Sequence, residues 1–273
     1  MTWLAKTFLS TGLMLLALAA HATVTCGMSV ADVQPIYTPG SNSNSTGSIT
    51  LTCSRSANES STTYWIGINT AHLVLTRQGG SQTLSYKVYK NASYSSQWGT
   101  TSSSGSKGTL TFNGPVASKT LTYYLRIPSS NAGQPAGLYD DMRTVTLRFS
   151  ATSADLATAT LQPVASIVAQ CLISTPPGNL ALNYTSFSAT AASNSTSFAI
   201  SCTKGTPYTV SLDATSGVVL GLTYQLQLSA SSGTGSALPQ TYAITGSIAP
   251  NQSGTCSMGS CTATATRTVL VSY

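Results

Sequence analysis

Six cysteines, a lone histidine beyond residue 22 and a pair of adjacent aspartates have the most chemistry available to them in this sequence. They are Cys26, Cys53, Cys171, Cys202, Cys256 and Cys261, then His72, then Asp140 and Asp141. Thiolates and imidazoles could hold zinc, but no CxxC pair occurs and one histidine is too few. Any Ser-His-Asp or Cys-His arrangement would need His72 as its base. No serine sits in a G-x-S-x-G elbow, so His72 is read as a surface or packing residue. Two carboxylates could hydrolyse a glycoside. Neighbours on extended chain point to opposite faces, however, and Asp140 and Asp141 are better read as turn formers. No P-loop, H-E-x-x-H or EF-hand pattern is present. These residues predict no enzyme, no metal site and no cofactor.

Oxidation is the chemistry left to the cysteines. Residues 1–22 read as a secretory signal. Lys6 supplies the positive end, Leu13 to Ala20 form an apolar run too short to span a bilayer, and Ala20-His21-Ala22 is a cleavage site. The mature chain then begins at Thr23, no later stretch is apolar for long enough to be a membrane helix, and all six thiols are exported to a compartment where disulfides form. Many pairings are open to six cysteines. An internal repeat chooses among them.

The repeat divides the chain in two. Ser48-Ile49-Thr50-Leu51-Thr52-Cys53 matches Ser197-Phe198-Ala199-Ile200-Ser201-Cys202, and both alternate apolar with polar residues as half-buried strands do. Tyr64 to Ile68 matches Tyr208 to Leu212, and Leu84 to Tyr89 matches Leu222 to Gln227. Tyr123 to Pro128 matches Tyr242 to Ile248, and Arg143 to Phe149 matches Arg267 to Tyr273. Cys26 and Cys171 each open a half. The equivalent bridges are therefore Cys26–Cys53 and Cys171–Cys202, which leaves Cys256–Cys261 to clip a local loop. Each of the first two closes about thirty residues, which in the chain-entropy model contributes roughly 3–4 kcal/mol.

Short alternating strands separated by Gly, Ser and Asn predict an all-β chain of two tandem immunoglobulin-like sandwiches, residues 23–165 and 166–273. Composition agrees. Only 7% of residues are charged, too few for the solvated faces of long helices, while the abundant Thr, Val and Tyr suit strands. From Thr23 to Gln170 nine Lys/Arg stand against five Asp/Glu, a net of +4. From Cys171 onward two stand against one, a net of +1. The basic residues are scattered, which argues against nucleic-acid binding and leaves a weak attraction to anionic surfaces.

The halves end differently. After Arg143 to Phe149 the first half continues through Ala157-Thr158-Ala159-Thr160-Leu161-Gln162, which alternates and can pair as one more strand. The second half stops at Tyr273. It is expected to lack its last strand, leaving an edge at Val269, Val271 and Tyr273 that a chaperone or a strand from another chain would cover. The plainer alternative is a self-sufficient domain one strand shorter. In the first half, Asn91 to Gly108 sets Tyr94, Gln97 and Trp98 among small flexible residues, the mixture of a recognition loop; the alternative is a linking loop with one ring tucked onto the sandwich. Trp65 lies within a strand and is expected in the core.

Each half resembles the spore coat protein U domain, the pilin-like domain of archaic chaperone–usher pili. The residues that carry the resemblance are Cys26 and Cys171, the strand-ending Cys53 and Cys202, Leu84 to Tyr89, and the turn Gly137-Leu138-Tyr139-Asp140-Asp141 leading into Thr144 to Leu147. The second half departs from the pattern, with Asn251 to Cys256 in place of that turn. Two such domains resemble the tip adhesin of these pili. The resemblance implies an adhesin-like N-terminal domain and a pilin-like C-terminal domain. It implies a periplasmic chaperone, an outer-membrane usher, an adjacent pilin subunit that donates a strand, and an unidentified surface or receptor. It implies secretion through the periplasm to the pilus tip, and biofilm attachment. Three residues before Cys26 reach only about 10 Å, too short to donate a strand, so the chain is expected to receive one and give none. A structural coat or matrix protein built from the same domains is the alternative.

Overall fold

A computed structural model of the chain describes residues 23–56, 59–101 and 104–273. The expected signal segment lies outside the described residues. Among the described residues the first half forms twelve strands: β1 (Val24–Ala31), β2 (Ser43–Arg55), β3 (Ser61–Ile68), β4 (Val74–Arg77), β5 (Thr83–Ser85), β6 (Lys87–Tyr89), β7 (Ser106–Thr111), β8 (Val116–Ile127), β9 (Gly137–Asp140), β10 (Arg143–Arg148), β11 (Ala157–Leu161) and β12 (Val164–Ile167). The second half forms β13 (Cys171–Thr175), β14 (Ala192–Cys202), β15 (Pro207–Leu212), β16 (Ser216–Val219), β17 (Leu222–Leu228), β18 (Ser232–Thr234), β19 (Gln240–Ile248) and β20 (Val269–Ser272).

Alternation decides which residues face inward. Ile49, Leu51 and Cys53 of β2 are fully buried, as are Tyr123, Leu125 and Ile127 of β8, while the residues between them face out. These strands belong to the sheet β1-β2-β8-β6. The sheets β11-β10-β3-β7 and β12-β9-β4-β5 contribute Ile66, Val145, Leu75 and Tyr139 to the same core. The second half pairs as β13-β14-β19-β17-β16 and β18-β15-β20, around a core of Phe198, Ile200, Tyr208, Val210, Tyr242 and Ile244. The named strands pair antiparallel, and a parallel bridge joins Ile36 to Ser166 of β12.

The bridges Cys26–Cys53, Cys171–Cys202 and Cys256–Cys261 are all formed. The first two join residues directly opposite each other in register, so each staples an edge strand to its neighbour.

Four local expectations are corrected. The boundary at 165/166 falls inside β12, which pairs with β9 and buries Ile167, so the first domain runs through Ile167. Gly137 to Asp140 is a strand rather than a turn, because β9 pairs with both β12 and β4; Asp141 and Met142 connect it to β10. The run Leu84 to Tyr89 breaks at Tyr86, whose amide donates to the Leu73 carbonyl, so β5 and β6 join different sheets. Trp65 is half-buried on the outer face with the Lys107 ammonium 5.1 Å from its ring, since its neighbours Tyr64 and Ile66 take the inward positions.

Candidate assembly edge and binding loop

The repeat makes β10 and β20 equivalent, and their surroundings differ. β10 lies between β3 and β11, with Val145 opposite Ile68 and Leu147 opposite Ile66. Its inward side chains Val145 and Leu147 are fully buried. β20 pairs with β15, Val271 opposite Val210 and Val269 opposite Leu212. Among the described residues no strand is hydrogen-bonded to its other edge. Val269 and Val271 point toward the core yet stay half-buried.

In the first domain β11 packs against β1 as well as pairing with β10, and so closes the gap between two sheets. In the second domain the matching edges are β13 and β20, with Leu172 half-exposed on β13 and Leu270 on the outward face of β20. Tyr273 follows β20, well exposed, beside a shallow cleft of about 470 Å³ lined with Pro207, Tyr208 and Thr209.

An aspartate clasps the start of β20. Asp213 Oδ1 accepts from the Thr268 amide at 3.0 Å and the Ala214 amide at 2.9 Å, and the Asp213 amide donates back to the Thr268 carbonyl. The Thr268 hydrogen bond, before any other cause, holds this carboxyl below the ordinary aspartate value.

The loop after β6 folds back on itself. The Lys90 amide donates to the Ser96 carbonyl and the Trp98 amide to the Val88 carbonyl. Asn91 fixes the turn, its Oδ1 accepting from the amides of Ser95 and Ser96. Trp98, expected at the surface, is 1% exposed and its indole donates to the Ile66 carbonyl at 3.0 Å, so it belongs to the core. That is a correction: a polar sequence context hid a ring whose partner lies 32 residues upstream. Gln97 is exposed. Tyr94 is half-buried, its ring edge-on to Tyr89 at 5.4 Å and to Tyr124 at 6.2 Å. The Arg126 guanidinium lies 3.8 Å from the Tyr94 ring centre.

Sequence reasoning missed Lys87, Arg126 and Asp213. The signal for the first two was alternation. Val88 and Leu125 are buried, so Lys87 and Arg126 must face outward on the same sheet. Asp213 carried no signal, since its partner lies 55 residues away.

His72 is exposed in the loop between β3 and β4, with a left-handed φ of 56°, and its carbonyl accepts from Arg143 Nη2. Asp141 accepts from the Tyr86 hydroxyl at 2.9 Å and pairs with Arg143 at 2.5 Å, which gives it a structural role. Among the described residues no cluster of three or more His, Cys, Asp or Glu is placed to hold a metal ion.

A search of curated proteins returns no match. Among solved structures, the chain is similar to the CsuC–CsuE chaperone–tip adhesion subunit pre-assembly complex from the archaic chaperone–usher Csu pili of Acinetobacter baumannii. That match has 18% identity and a TM-score of 0.50, and covers 92% of this chain and all of that one. The CupB6 tip adhesin from Pseudomonas aeruginosa matches with 11% identity and a TM-score of 0.40, over 92% of this chain and 95% of that one. The first likeness shows a shared two-domain β fold. The family model of the Spore Coat Protein U domain matches residues 13–146 and 157–234, most of both halves, and the chain belongs to that family.

Proposed function

We propose that the protein is the tip adhesin of a chaperone–usher pilus, with a first domain that meets a surface and a second that accepts a strand from the next subunit. The observation that carries this reading is the contrast between β10, covered by β11, and β20, covered on one edge only. Unpaired backbone groups beside half-buried valines form a template for strand addition. Covering Val269 and Val271 would remove apolar surface from water, and pairing would satisfy the free N–H and C=O groups. A periplasmic chaperone would hold this edge first, an outer-membrane usher would exchange it, and the adjacent subunit would fill it last. The tip subunit in the Csu structure is itself described in complex with a chaperone. This route takes the protein through the periplasm to the cell surface, where it would support biofilm attachment.

The test is capture by a co-expressed pilus chaperone. The chain from Thr23 onward is expected to co-purify with it and to aggregate alone. Val271→Asp, on the inward face, should abolish capture, and Leu270→Ser, on the outward face, should leave it. A stable monomer that ignores both the chaperone and an added strand peptide would overturn the proposal.

A further inference from the structure

The outer face of the sheet β1-β2-β8-β6 carries a cationic cleft of about 380 Å³, lined by Asn42, Ser85, Lys87, Tyr89, Arg126 and Ser130 together with Pro128. Its cations are in register, with Lys87 of β6 directly opposite Arg126 of β8. Like charges opposite each other weaken a sheet. None of the five acidic residues of the first domain lines the cleft. Among the described residues, Lys87 and Arg126 have no acidic partner. The Arg126 Nε donates to a neutral acceptor, Asn44 Oδ1, at 2.9 Å. Asn44 and Tyr94 hold Arg126, but sheet stability gives no reason to set Lys87 opposite it.

The surroundings say what would satisfy it. Tyr89, Tyr94 and Tyr124 form an aromatic ledge beside the cations, outside the core. Stacking on Tyr94 holds the Arg126 guanidinium in place, which lowers the entropy lost when it binds. Ser85, Ser130 and Asn42 add neutral polar groups. A carboxylate takes the charge, ring hydroxyls take the polar groups, and an apolar sugar face takes Tyr89. The volume lies at the small end of ligand sites, enough for a short saccharide.

We infer that this cleft binds an oligosaccharide bearing carboxylates, a polyuronate fragment, through Lys87 and Arg126. The inference rests on the adhesin reading for its setting, but the binding is measured on purified protein. A failed chaperone capture would therefore speak against the pilus role alone.

Calorimetric titration of the chain from Thr23 onward, kept soluble by an added strand peptide, with trigalacturonate tests it, with the uncharged methyl ester of the same trisaccharide and inorganic phosphate as comparisons. Trigalacturonate is expected to bind, and the ester to bind about tenfold more weakly or worse, the scale of a lost charge-assisted contact. Lys87→Gln and Arg126→Gln should each weaken trigalacturonate by about tenfold. Lys87 is exposed and makes no ion pair, so its variant folds; Arg126→Lys serves if Arg126→Gln does not. Lys119→Gln removes the same charge from an exposed site elsewhere on β8 and should leave affinity within about twofold. Equal losses for Lys87→Gln and Lys119→Gln would mean general attraction and overturn the site. Phosphate binding as tight as trigalacturonate would reduce it to a simple anion site and overturn the saccharide.

Discussion

Tyr64 and Tyr208 occupy the same place in the two halves, and each lays its ring across a glycine on the neighbouring strand. Tyr64 is opposite Gly108 and Tyr208 opposite Gly233. A Cβ on Gly233 would come within 2.6 Å of the Tyr208 hydroxyl and 2.5 Å of the Tyr242 hydroxyl, and those two hydroxyls share a hydrogen bond of 2.6 Å. Gly233→Ala should therefore displace both rings and cost about 1–3 kcal/mol of second-domain stability in a urea titration, the range for overpacking a filled core. Buried phenols set a second expectation. Burial, then the Asp141 carboxylate, pushes the Tyr86 hydroxyl above its ordinary value of 10.0, and burial, then Asp32, does the same for Tyr123. A raised folded value means that the stabilisation is complete below the ordinary value and lost as pH rises through the folded one. Absorbance titration should show these two phenols ionising only as the first domain unfolds in alkali. Ionisation at the ordinary value in folded protein would refute it.

At the scale of strands, β20 is the element whose docking sets the open edge, and Asp213 governs it. The carboxyl is held below its ordinary value of 3.8, first by the Thr268 amide. Its contribution is present above the ordinary value and is lost as pH falls through the lowered one. Hydrogen exchange of the β20 amides should quicken in that acid range, while β10, which has no such clasp, keeps its protection. Asp213→Ala should give the fast exchange at neutral pH and remove the acid step. A β20 that exchanges alike in wild type and variant would show that the clasp does not hold it.

What the sequence disclosed at this scale follows the range of the forces involved. Strands closed by Cys53 and Cys202 were legible because alternation is local, and the repeat then picked the bridges. The covering strand at Ala157 to Leu161 was legible for the same reason. Trp98 was not, because its burial depends on a ladder to Val88 and a hydrogen bond to Ile66 that no local pattern encodes. The break at Tyr86 was hidden likewise, since it is set by Leu73 and Asp141, which lie just outside other strands.

For the whole molecule, the two halves share an architecture but differ in how completely it is filled. Among the described residues the first half buries twenty-five apolar side chains and the second ten. Hydrophobic burial is the dominant stabilising force, so the second domain should unfold at lower denaturant. Tryptophan separates the two cleanly, because beyond residue 22 only Trp65 and Trp98 remain and both lie in the first domain. Tryptophan fluorescence should then report a later transition than far-ultraviolet circular dichroism, whose early phase belongs to the second domain. Non-coincident probes are the mark of a chain that is not two-state. A peptide with the alternation of residues 157–162 should move the early phase upward and leave the fluorescence transition in place. Each valine-sized side chain that it covers contributes about 1.5–3 kcal/mol before the cost of ordering the peptide. Transitions that coincide and ignore the peptide would mean that ten buried side chains already suffice. The free edge of β20 would then be a finished surface, not an acceptor.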